Sequence, residues 1–561
     1  MTDRTGTQKL SARRNVRVGA HGASALAAAL ALGLCAVAPA NAAEWNFGEA
    51  TLNVTSTASV GLGMRTSNPD GDLISVLNGG RDTTVAAENF DDGNLNFRRG
   101  DLFTASLRMV HQADLRWNNL GAFVSVGYFY DAINNDADST RRTDLSSSTR
   151  SLAGRGLDLY DAYVYGDFEI ANMPLNMRLG NQVINWGESL FRSGGIAQTN
   201  AVDVSKLVTP GTNIREGYLP SPMIYANIGI LPSLSLEAYY QFKWRQSELV
   251  PVGTFFSSED LVGDGAQGMF FAGDPGGVGA AAFAAGIPRL PSDEPRDSGQ
   301  YGVGAHYYAD SIAAEFSAYY LRYHSKTPYV SGTANWFFVA FPTGYYSYFP
   351  EDIDLYGTSV SFPLGPVAIG AEAVYQPDYP VMLADAVTAA IVQSTITSAA
   401  SRVNGVTYAD RTNFIANAAV TVGPSMAYIG QVPGWIGADS IDIITEAGLV
   451  SFRGDKPAGV TGDMSAWGFT TSVSATYTNV MLSGLTVTPS LSFSDNVNGV
   501  AIDRGSAGTP VEGKRSLTLG VATNYQSALT TSLSYTNSMG GGLITRDSDR
   551  DYVTLSASYS F

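Results

Sequence analysis

The chain ends with Tyr552-Val-Thr-Leu-Ser-Ala-Ser-Tyr-Ser-Phe561, in which an apolar residue stands at every second position from Val553 onward. Because side chains of a β-strand point alternately to its two faces, this segment has one apolar and one polar face. The apolar face ends in Tyr559 and Phe561. A terminal aromatic residue in this phase resembles the signal by which outer-membrane barrels are handed to the barrel-assembly machinery, so we expect these two residues to form an assembly signal.

The same alternation recurs in the segments that precede the chain end and far upstream. Residues 485–493, 517–525 and 529–535 carry mainly Leu, Val, Phe and Tyr in one phase, and mainly Ser and Thr in the other. Residues 234–244 alternate Leu, Ala, Tyr, Phe and Trp with Ser, Glu, Tyr, Gln and Lys. Each of these segments predicts an extended strand with an apolar and a polar face.

Alternation alone also fits a soluble β-sandwich, so the composition and the polar faces decide between the two folds. Charged residues make up only 15% of the chain, whereas soluble domains carry about 25%. The polar faces are too hydrophilic for a dry core, and Tyr240, Trp244, Tyr477 and Tyr535 near the strand ends fit interfacial girdles. We predict an all-β fold: a single transmembrane antiparallel β-barrel in outer-membrane lipid of a Gram-negative bacterium.

The N-terminal residues have the pattern of a secretory signal peptide. Five basic residues precede an apolar run over residues 25–37, and Ala40-Asn41-Ala42 supplies the small residues that a signal peptidase cuts after. We expect residues 1–42 to be removed and residues 43–561 to form the barrel. Cys35, the one cysteine, lies within the removed part, which excludes disulfides and thiolate chemistry from the exported chain.

Candidate strands from Thr51 onward number between about 14 and 18, and an even count is expected of a bacterial barrel; we predict 16. The long loops are predicted at residues 66–100, 132–156, 185–222, 246–299, 325–350 and 378–440. They face the exterior or the lumen, where they could form a plug. Residues 384–402 are predicted to be an ordinary surface loop, because a helix this short is marginal without packing.

Charge and motifs exclude several classes of function. The net charge of −17 argues against nucleic acid as a partner. Beyond residue 42 the histidines are His111, His306 and His324, whose spacing suits no zinc or iron site. No nucleophile elbow or phosphate-binding glycine loop occurs. We therefore expect neither catalysis nor a cofactor.

Three acidic clusters offer the hard oxygen ligands that calcium prefers. They lie at Asp70 and Asp72, at residues 91–94, and at residues 547–551. None has the spacing of a calcium-binding loop, so we interpret them as solvated turns and predict no metal site.

Charged residues in the polar phase of the predicted strands are candidates for lining the lumen, because a charge on the lipid side costs about 2–4 kcal/mol. These candidates are Arg108, Asp114, Arg116, Asp161, Asp167, Arg178, Glu237 and Lys243. Mixed charges of this kind select solutes in pores. Alternatively, they pair with one another or hold a lumenal plug in place.

Two loops have unusual apolar content. The candidate residues for an apolar ligand are Phe270, Phe271, Trp336, Phe337 and Phe338. An exposed apolar patch often marks a binding site. The same residues could instead form the packing core of a folded loop.

Several longer segments resemble the Gram-negative outer-membrane proteins catalogued as domain-of-unknown-function family 1302. These segments are LNGG (77–80), DDGNLNF (91–97), LDLYDAYVYG (157–166), RLGNQVINWGES (178–189), RDSGQYGV (296–303) and FPEDIDLYG (349–357). The family is similar in outline to long-chain fatty-acid channels. The resemblance implies a periplasmic lipid carrier and an RND-type exporter as partners, and it implies no catalytic residues.

Three functions follow from these expectations. The leading one is a channel or transporter for lipid-like or other hydrophobic molecules, within a trans-envelope lipid transport system. The alternatives are a water-filled, solute-selective porin and a plugged barrel that docks a partner. A fatty-acid-type channel requires a plug and a lateral gap, whereas a porin requires a continuous wet lumen.

Overall fold

The computed structural model describes residues 43–561 except 85–86, 142–143, 267, 271–285, 338, 427 and 504–508. Residues 1–42, with the expected signal peptide, lie outside the described residues. The spanning strands are β1 Ala50–Arg65, β2 Leu102–Trp117, β3 Leu120–Asp131, β4 Arg155–Ile170, β5 Met173–Gln182, β6 Ser221–Leu231, β7 Leu234–Gln241, β8 Gln300–Ala309, β9 Ala314–Tyr323, β10 Ile353–Leu364, β11 Val367–Met382, β12 Val406–Val422, β13 Ser440–Phe452, β14 Ser465–Thr476, β15 Leu485–Asn498, β16 Arg515–Tyr525, β17 Leu529–Met539 and β18 Tyr552–Ser560.

The strands β1 to β18 form one closed antiparallel ring, in which each strand pairs with its neighbours along the chain. β18 closes the ring by pairing with β1, from Thr57 opposite Ser560 to Arg65 opposite Tyr552. The predicted barrel is confirmed, but the predicted count of 16 is wrong. The segment 378–440, expected to be one long loop, contains the whole of β12, whose residues 416–420 (Ala-Asn-Ala-Ala-Val) show little alternation.

Side chains alternate between the two faces of the ring as the sequence predicts. Leu519, Leu533 and Leu555 project outward and are exposed. Between them the inward phase is polar, with hydroxyl pairs such as Ser534 to Thr554 at 2.7 Å. An apolar outer band around a polar interior is the architecture of outer-membrane barrels, because lipid cannot satisfy an open sheet edge. Within the described part of the chain, no helix is long and apolar enough to cross a membrane.

The connections differ between the two ends of the barrel. One end, which also carries the start of β1 and the end of β18, has mostly tight turns such as 118–119, 171–172 and 232–233. The other end carries the long connections, at residues 66–101, 132–154, 183–220, 242–299, 324–352, 383–405, 453–464, 499–514 and 540–551. Short turns face the periplasm in such barrels, so the long connections face the exterior or enter the lumen.

The connections contain short elements of their own. The strands are Ala43–Phe47, which pairs with β1, Ala201–Val202, Tyr218–Leu219, Gly268–Met269, Ile287–Pro288, Tyr329–Phe337, Val339–Tyr348 and Ser401–Val403. The α-helices are Asp92–Asn96, Ser147–Thr149, Val204–Leu207, Ala386–Thr397, Gln431–Trp435 and Gly542–Thr545. A π-helical turn spans Arg150–Gly154, and 3-10 turns span Gly71–Leu73, Val76–Asn78, Ala87–Asn89 and Ile214–Gly217.

The helix Ala386–Thr397 corrects the prediction of an ordinary loop over residues 384–402. Asp385 caps its first turn by accepting a hydrogen bond from the backbone N–H of Thr388 at 2.8 Å. Its Val387 packs in a buried cluster with Tyr345 from the neighbouring hairpin and Met269 from another connection. This tertiary packing stabilises a helix that would be marginal by itself.

The ring closure at β1 and β18 generates the first prediction. Phe561 and Ser56 exchange two backbone hydrogen bonds of 2.7 and 2.8 Å, and the ring of Phe561 stacks on Tyr559. Deletion of Phe561 removes both bonds and the terminal aromatic residue. We expect a several-fold lower yield of the compact, heat-modifiable form on gels, with unchanged export. Phe561→Tyr keeps the bonds and the ring, so it should assemble normally; equal yields from all three proteins would contradict the prediction.

Candidate functional site

The long connection 183–220 lies inside the ring. In the C-terminal half of this connection, the carbonyl of Pro210 lies against Gly61 of β1. The contact is so close that a side chain on Gly61 would overlap the carbonyl. Its N-terminal part reaches inward-facing side chains of β11, β12 and β13. These strands lie near the opposite side of the ring from β1, so the connection crosses the interior. We call residues 183–220 the internal segment.

Two buried carboxylates hold the N-terminal part of the internal segment, which lies across the ring from β1. Glu446 of β13 accepts hydrogen bonds from the backbone N–H groups of Leu190, Phe191 and Arg192 at 2.6, 2.8 and 2.6 Å. Glu372 of β11 accepts from the N–H groups of residues 188 and 196 at 2.8 and 3.2 Å. Hydrogen bonds to a charged acceptor are stronger than neutral ones, so this end of the segment is firmly anchored.

Glycine is required where the internal segment meets Glu372. A Cβ atom on Gly195 would overlap Oε1 of this glutamate, and one on Gly187 would lie 2.5 Å from Oε2. Gly187 also has a φ of +94°, which side chains strongly disfavour. The two glycines therefore let the backbone approach the carboxylate closely enough to donate to it.

Ion pairs hold the C-terminal part of the internal segment, which lies on the same side of the ring as β1. Arg108 of β2 lies 3.3 Å from the carboxylate of Glu216, which also accepts from the hydroxyl of Tyr160 at 3.3 Å. Lys206 of the segment lies 3.1 Å from Asp158 of β4 and 3.0 Å from Asp203. All of these groups are buried or half-buried, which strengthens each interaction relative to one in water.

Two further sequence candidates also contact the internal segment. Glu237 of β7 accepts a hydrogen bond from the indole N–H of Trp186 at 2.5 Å and another from Asn227 at 2.8 Å. Asp161 of β4 lies close to the backbone of Val183, at the start of the internal segment. Arg108 and Glu237 thus contact the internal segment directly, and a lumen-lining role for these residues stays a prediction.

Four other candidates surround one cavity of about 630 Å³ at the short-turn end of the barrel. Its walls are Asp114, Arg116, Asn118, Asn119, Leu120, Phe123, Tyr163, Tyr165, Asp167, Asn176 and Arg178. Asp114 accepts from Arg116 at 2.8 Å and from Tyr165 at 2.7 Å. The guanidinium of Arg178 lies 4.8 Å from the ring centre of Tyr225. The cavity therefore presents both signs of charge beside aromatic rings.

The eighth candidate, Lys243, is not on a strand. β7 ends at Gln241, so the predicted alternation over residues 234–244 is wrong at its end. Lys243 is exposed in the following bend, and Trp244 is buried against Phe349 rather than in a girdle. The indole N–H of Trp244 donates to the carbonyl of Ser325 at 3.0 Å, and this bond draws the chain out of the sheet.

The apolar candidates lie in the long connections. Phe270 and Trp336 are 38% and 37% exposed. Phe337 ends a hairpin strand, whereas Phe271 and Phe338 lie outside the described residues. Most of the aromatic side chains described around them, such as Tyr345 and Phe349, are buried in the packing of the connections. A binding role for the exposed pair stays a prediction.

Comparison with known sequences identifies the family. The family described as "Protein of unknown function (DUF1302)" matches residues 23–561. The chain belongs to this family. No curated protein matches the sequence of this DUF1302 chain.

Solved structures overlap weakly with the DUF1302 barrel. OccAB3 of Acinetobacter baumannii shares 9% identity, covers 91% of this chain and 99% of its own, and gives a TM-score of 0.42. OccK2 (OpdF) of Pseudomonas aeruginosa, solved in complex with glucuronate, shares 12% identity over 91% and 98% of the two chains with a TM-score of 0.40. OccAB2 of A. baumannii shares 9% identity over 91% and 98%, with a TM-score of 0.43. Values this low carry no argument about activity or substrate.

The sequence pattern missed the residues that anchor the internal segment of the DUF1302 chain. Glu372 lies in the run Gly-Ala-Glu-Ala-Val, and Glu446 in Ile-Thr-Glu-Ala-Gly. A lone acid between small or apolar residues in a strand was the available signal, because it must face the interior. Its partners are backbone N–H groups, which leave no mark in the sequence.

The anchor at Glu446 generates the second prediction. Glu446→Gln removes the charge and turns one of the two acceptor oxygens into a donor that faces backbone N–H groups. Bonds to a charged acceptor contribute about 1.5–3 kcal/mol each, so residues 190–192 should become more mobile while Glu372 still holds residues 188 and 196. A nitroxide label on Leu190→Cys should then show faster motion in its electron paramagnetic resonance spectrum.

Asp442→Asn is the matched control for this experiment. Asp442 lies in the same phase of β13 but bonds only to Thr421 among the contacts described for it, at 2.6 Å. Its substitution should leave the label spectrum unchanged. Equal label mobility in the Glu446→Gln and parent proteins would show that the carboxylate does not hold the segment.

Proposed function

We propose that this barrel is a passive channel in which the internal segment narrows the lumen and the charged cavity at the short-turn end selects small polar solutes. The observation that carries the proposal is the course of residues 183–220 across a closed ring, fixed at both ends by buried charges. A pore with a rigid constriction selects solutes at that point by their size and charge. The sequence analysis also considered a plug. That the internal segment closes the lumen completely stays a prediction.

The charges at the cavity support selection of solutes that carry polar groups. Arg116 and Asp114 lie side by side on β2, and Asp167 and Arg178 lie on the paired strands β4 and β5, so both signs of charge stand along one part of the wall. Charges of both signs in one cavity bind water and polar solutes, and they disfavour apolar molecules that cannot replace the lost hydration. Tyr163 adds an aromatic face next to Arg178, with a distance of 6.0 Å from guanidinium to ring centre.

The closed ring favours the porin alternative over the lipid channel that the sequence placed first. Each of the 18 spanning strands is hydrogen-bonded to both neighbours, including the β18–β1 junction. A lipid that leaves through the wall needs a gap between strands. In the proposed channel a solute therefore moves along the barrel axis, past the internal segment.

The third prediction tests the solute channel in planar lipid bilayers. The unmodified barrel should give steady ohmic conductance. Arg178→Glu changes the cavity by two charge units, so the reversal potential in a potassium chloride gradient should shift towards cations. Lys456→Glu in the exposed connection 453–464 makes the same charge change far from the cavity and should cause a much smaller shift. Absent conductance, or equal shifts in the two variants, would contradict the proposal.

A channel for hydrophobic molecules is the second candidate, and one observation favours it. Leu190 and Phe191 of the internal segment stay 54% and 46% exposed although their backbone is bound to Glu446 inside the ring. Apolar side chains exposed in an interior otherwise lined by polar groups could contact an acyl chain. In this function, the periplasmic lipid carrier and the RND-type exporter are proposed partners.

The fourth prediction separates the two candidates. For a hydrophobic conduit, Leu190→Asn with Phe191→Asn should reduce the uptake of a fluorescent fatty acid by cells several-fold, while conductance of the unmodified barrel stays small. Leu207→Asn is the control, since this exposed apolar side chain lies elsewhere on the internal segment. Unchanged uptake by the double variant, together with large ohmic conductance, would exclude the conduit.

A further inference from the structure

The connection 423–439 joins β12 to β13 at the short-turn end of the barrel. The other connections between described strands at this end run from two to eight residues, so this one is the longest of them. It contains the helix Gln431–Trp435. We propose that this connection lies in the inner leaflet of the outer membrane and binds lipid there, with the side chains of Trp435 and Ile436 among the acyl chains next to the headgroups.

Two observations place the connection on the lipid-facing side of the wall. Tyr477, which follows β14 in the outward phase opposite Val487, donates its hydroxyl to the carbonyl of Ile436 at 3.3 Å. Val422 at the end of β12 shares the outward phase with Phe414, yet Val422 is only 5% exposed whereas Phe414 is 48% exposed. The chain that follows β12 therefore turns back over the outside of the barrel.

The exposed side chains at this place are large and apolar. Trp435 is 76% exposed. Together with the neighbouring connection 477–484, the connection forms what we call the Trp435 surface, whose exposed residues are Tyr428, Ile429, Trp435, Ile436, Met481 and Leu482. Surfaces in water rarely expose so many large apolar groups close together. At the headgroup level of a membrane, by contrast, Trp and Tyr are enriched, because their rings are apolar with one polar group.

Charge favours lipid over a protein as the partner of the Trp435 surface. Residues 423–438 and 478–484 contain no Asp, Glu, Lys or Arg. The adjoining Asp439 joins the two connections, since its carboxylate accepts from the backbone N–H and the hydroxyl of Thr478 at 2.6 and 2.7 Å. Charged groups steer and align protein partners, and these two segments offer none. Entry into lipid, in contrast, requires no charge to leave water.

The backbone of the connection suits a medium that offers few hydrogen bonds. The N–H groups of residues 436–439 all donate within the protein, at 2.8 to 3.2 Å, to the carbonyls of Pro433, Gly434 and Thr476. Pro424 and Pro433 have no N–H group to satisfy. Because acyl chains cannot replace such partners, a segment that enters them needs its hydrogen bonds within the protein.

The Trp435 surface continues the lipid-facing band of the barrel. At the same end of β2, β4 and β10, the outward phase carries exposed apolar residues, namely Trp117, Ile170 and Leu364. These side chains mark the level at which the wall meets the inner leaflet, because the short turns of such barrels face the periplasm. A connection that leaves and re-enters the wall at this end, on its outer side, meets the same lipid.

Spin labels test the proposal on the whole barrel in phosphatidylcholine vesicles. With Cys35 replaced by Ser, each variant has a single thiol: Trp435→Cys, Ser527→Cys in an exposed tight turn at the same end, or Leu533→Cys on the lipid-facing wall. Oxygen is more soluble in lipid, whereas a nickel chelate stays in water. The ratio of oxygen to nickel accessibility should be several-fold higher at positions 435 and 533 than at position 527.

Two results of this measurement would overturn the proposal. A label at position 435 with the same ratio as the label at position 527 would show that the connection faces water. A label at position 435 that is shielded from both reagents would show that a second barrel covers the surface.

A second measurement keeps the native side chain in place. The fluorescence that is lost in Trp435→Phe should be quenched several-fold in vesicles whose acyl chains carry bromine near the headgroups. The fluorescence lost in Trp336→Phe, from a side chain in the long connection 324–352 at the other end, should not be quenched. Heat-modifiable gel migration shows that each variant has assembled. Equal emission from Trp435 in brominated and plain vesicles would also overturn the proposal.

Discussion

The backbone of every spanning strand must find its hydrogen-bond partners within the protein, because the hydrocarbon of a membrane offers none. In this chain the requirement is met by a ring whose ends join where β18 pairs with β1. The last two backbone bonds of that junction connect Phe561 and Ser56. Closure forces one phase of each strand outward and the other inward, and the positions of the lumenal charges follow from it.

A closed ring encloses space, and the internal segment occupies part of it. A chain segment inside the barrel carries its own backbone donors, which must be satisfied away from bulk water. Glu372 and Glu446 satisfy five of them, at residues 188, 190–192 and 196. These bonds also stabilise the two carboxylates. The buried carboxylates satisfy the backbone N–H groups, and the N–H groups in turn offset the cost of burying the carboxylates.

The alternation of side chains predicted most of the strands, because it depends only on neighbours in sequence. The prediction from alternation failed at positions where contacts with distant residues determine the conformation. The long Ala- and Val-rich β12 concealed its alternation, and Trp244 leaves the sheet to bond with Ser325. The helix Ala386–Thr397 forms because Val387 packs against Tyr345, a contact across some 40 residues.

By itself the sequence determined that the chain forms a membrane barrel with an apolar exterior and a polar interior, because a period of two residues is a local property of a strand. Only the tertiary structure decided that the ring has 18 strands, that residues 183–220 cross its interior, and that Tyr477 bonds to the backbone of Ile436 on the outer side of the wall. These features join residues far apart in the chain, often through backbone groups that every residue possesses. No pattern of side chains can specify such partners until the ring has brought them within a few ångströms of each other.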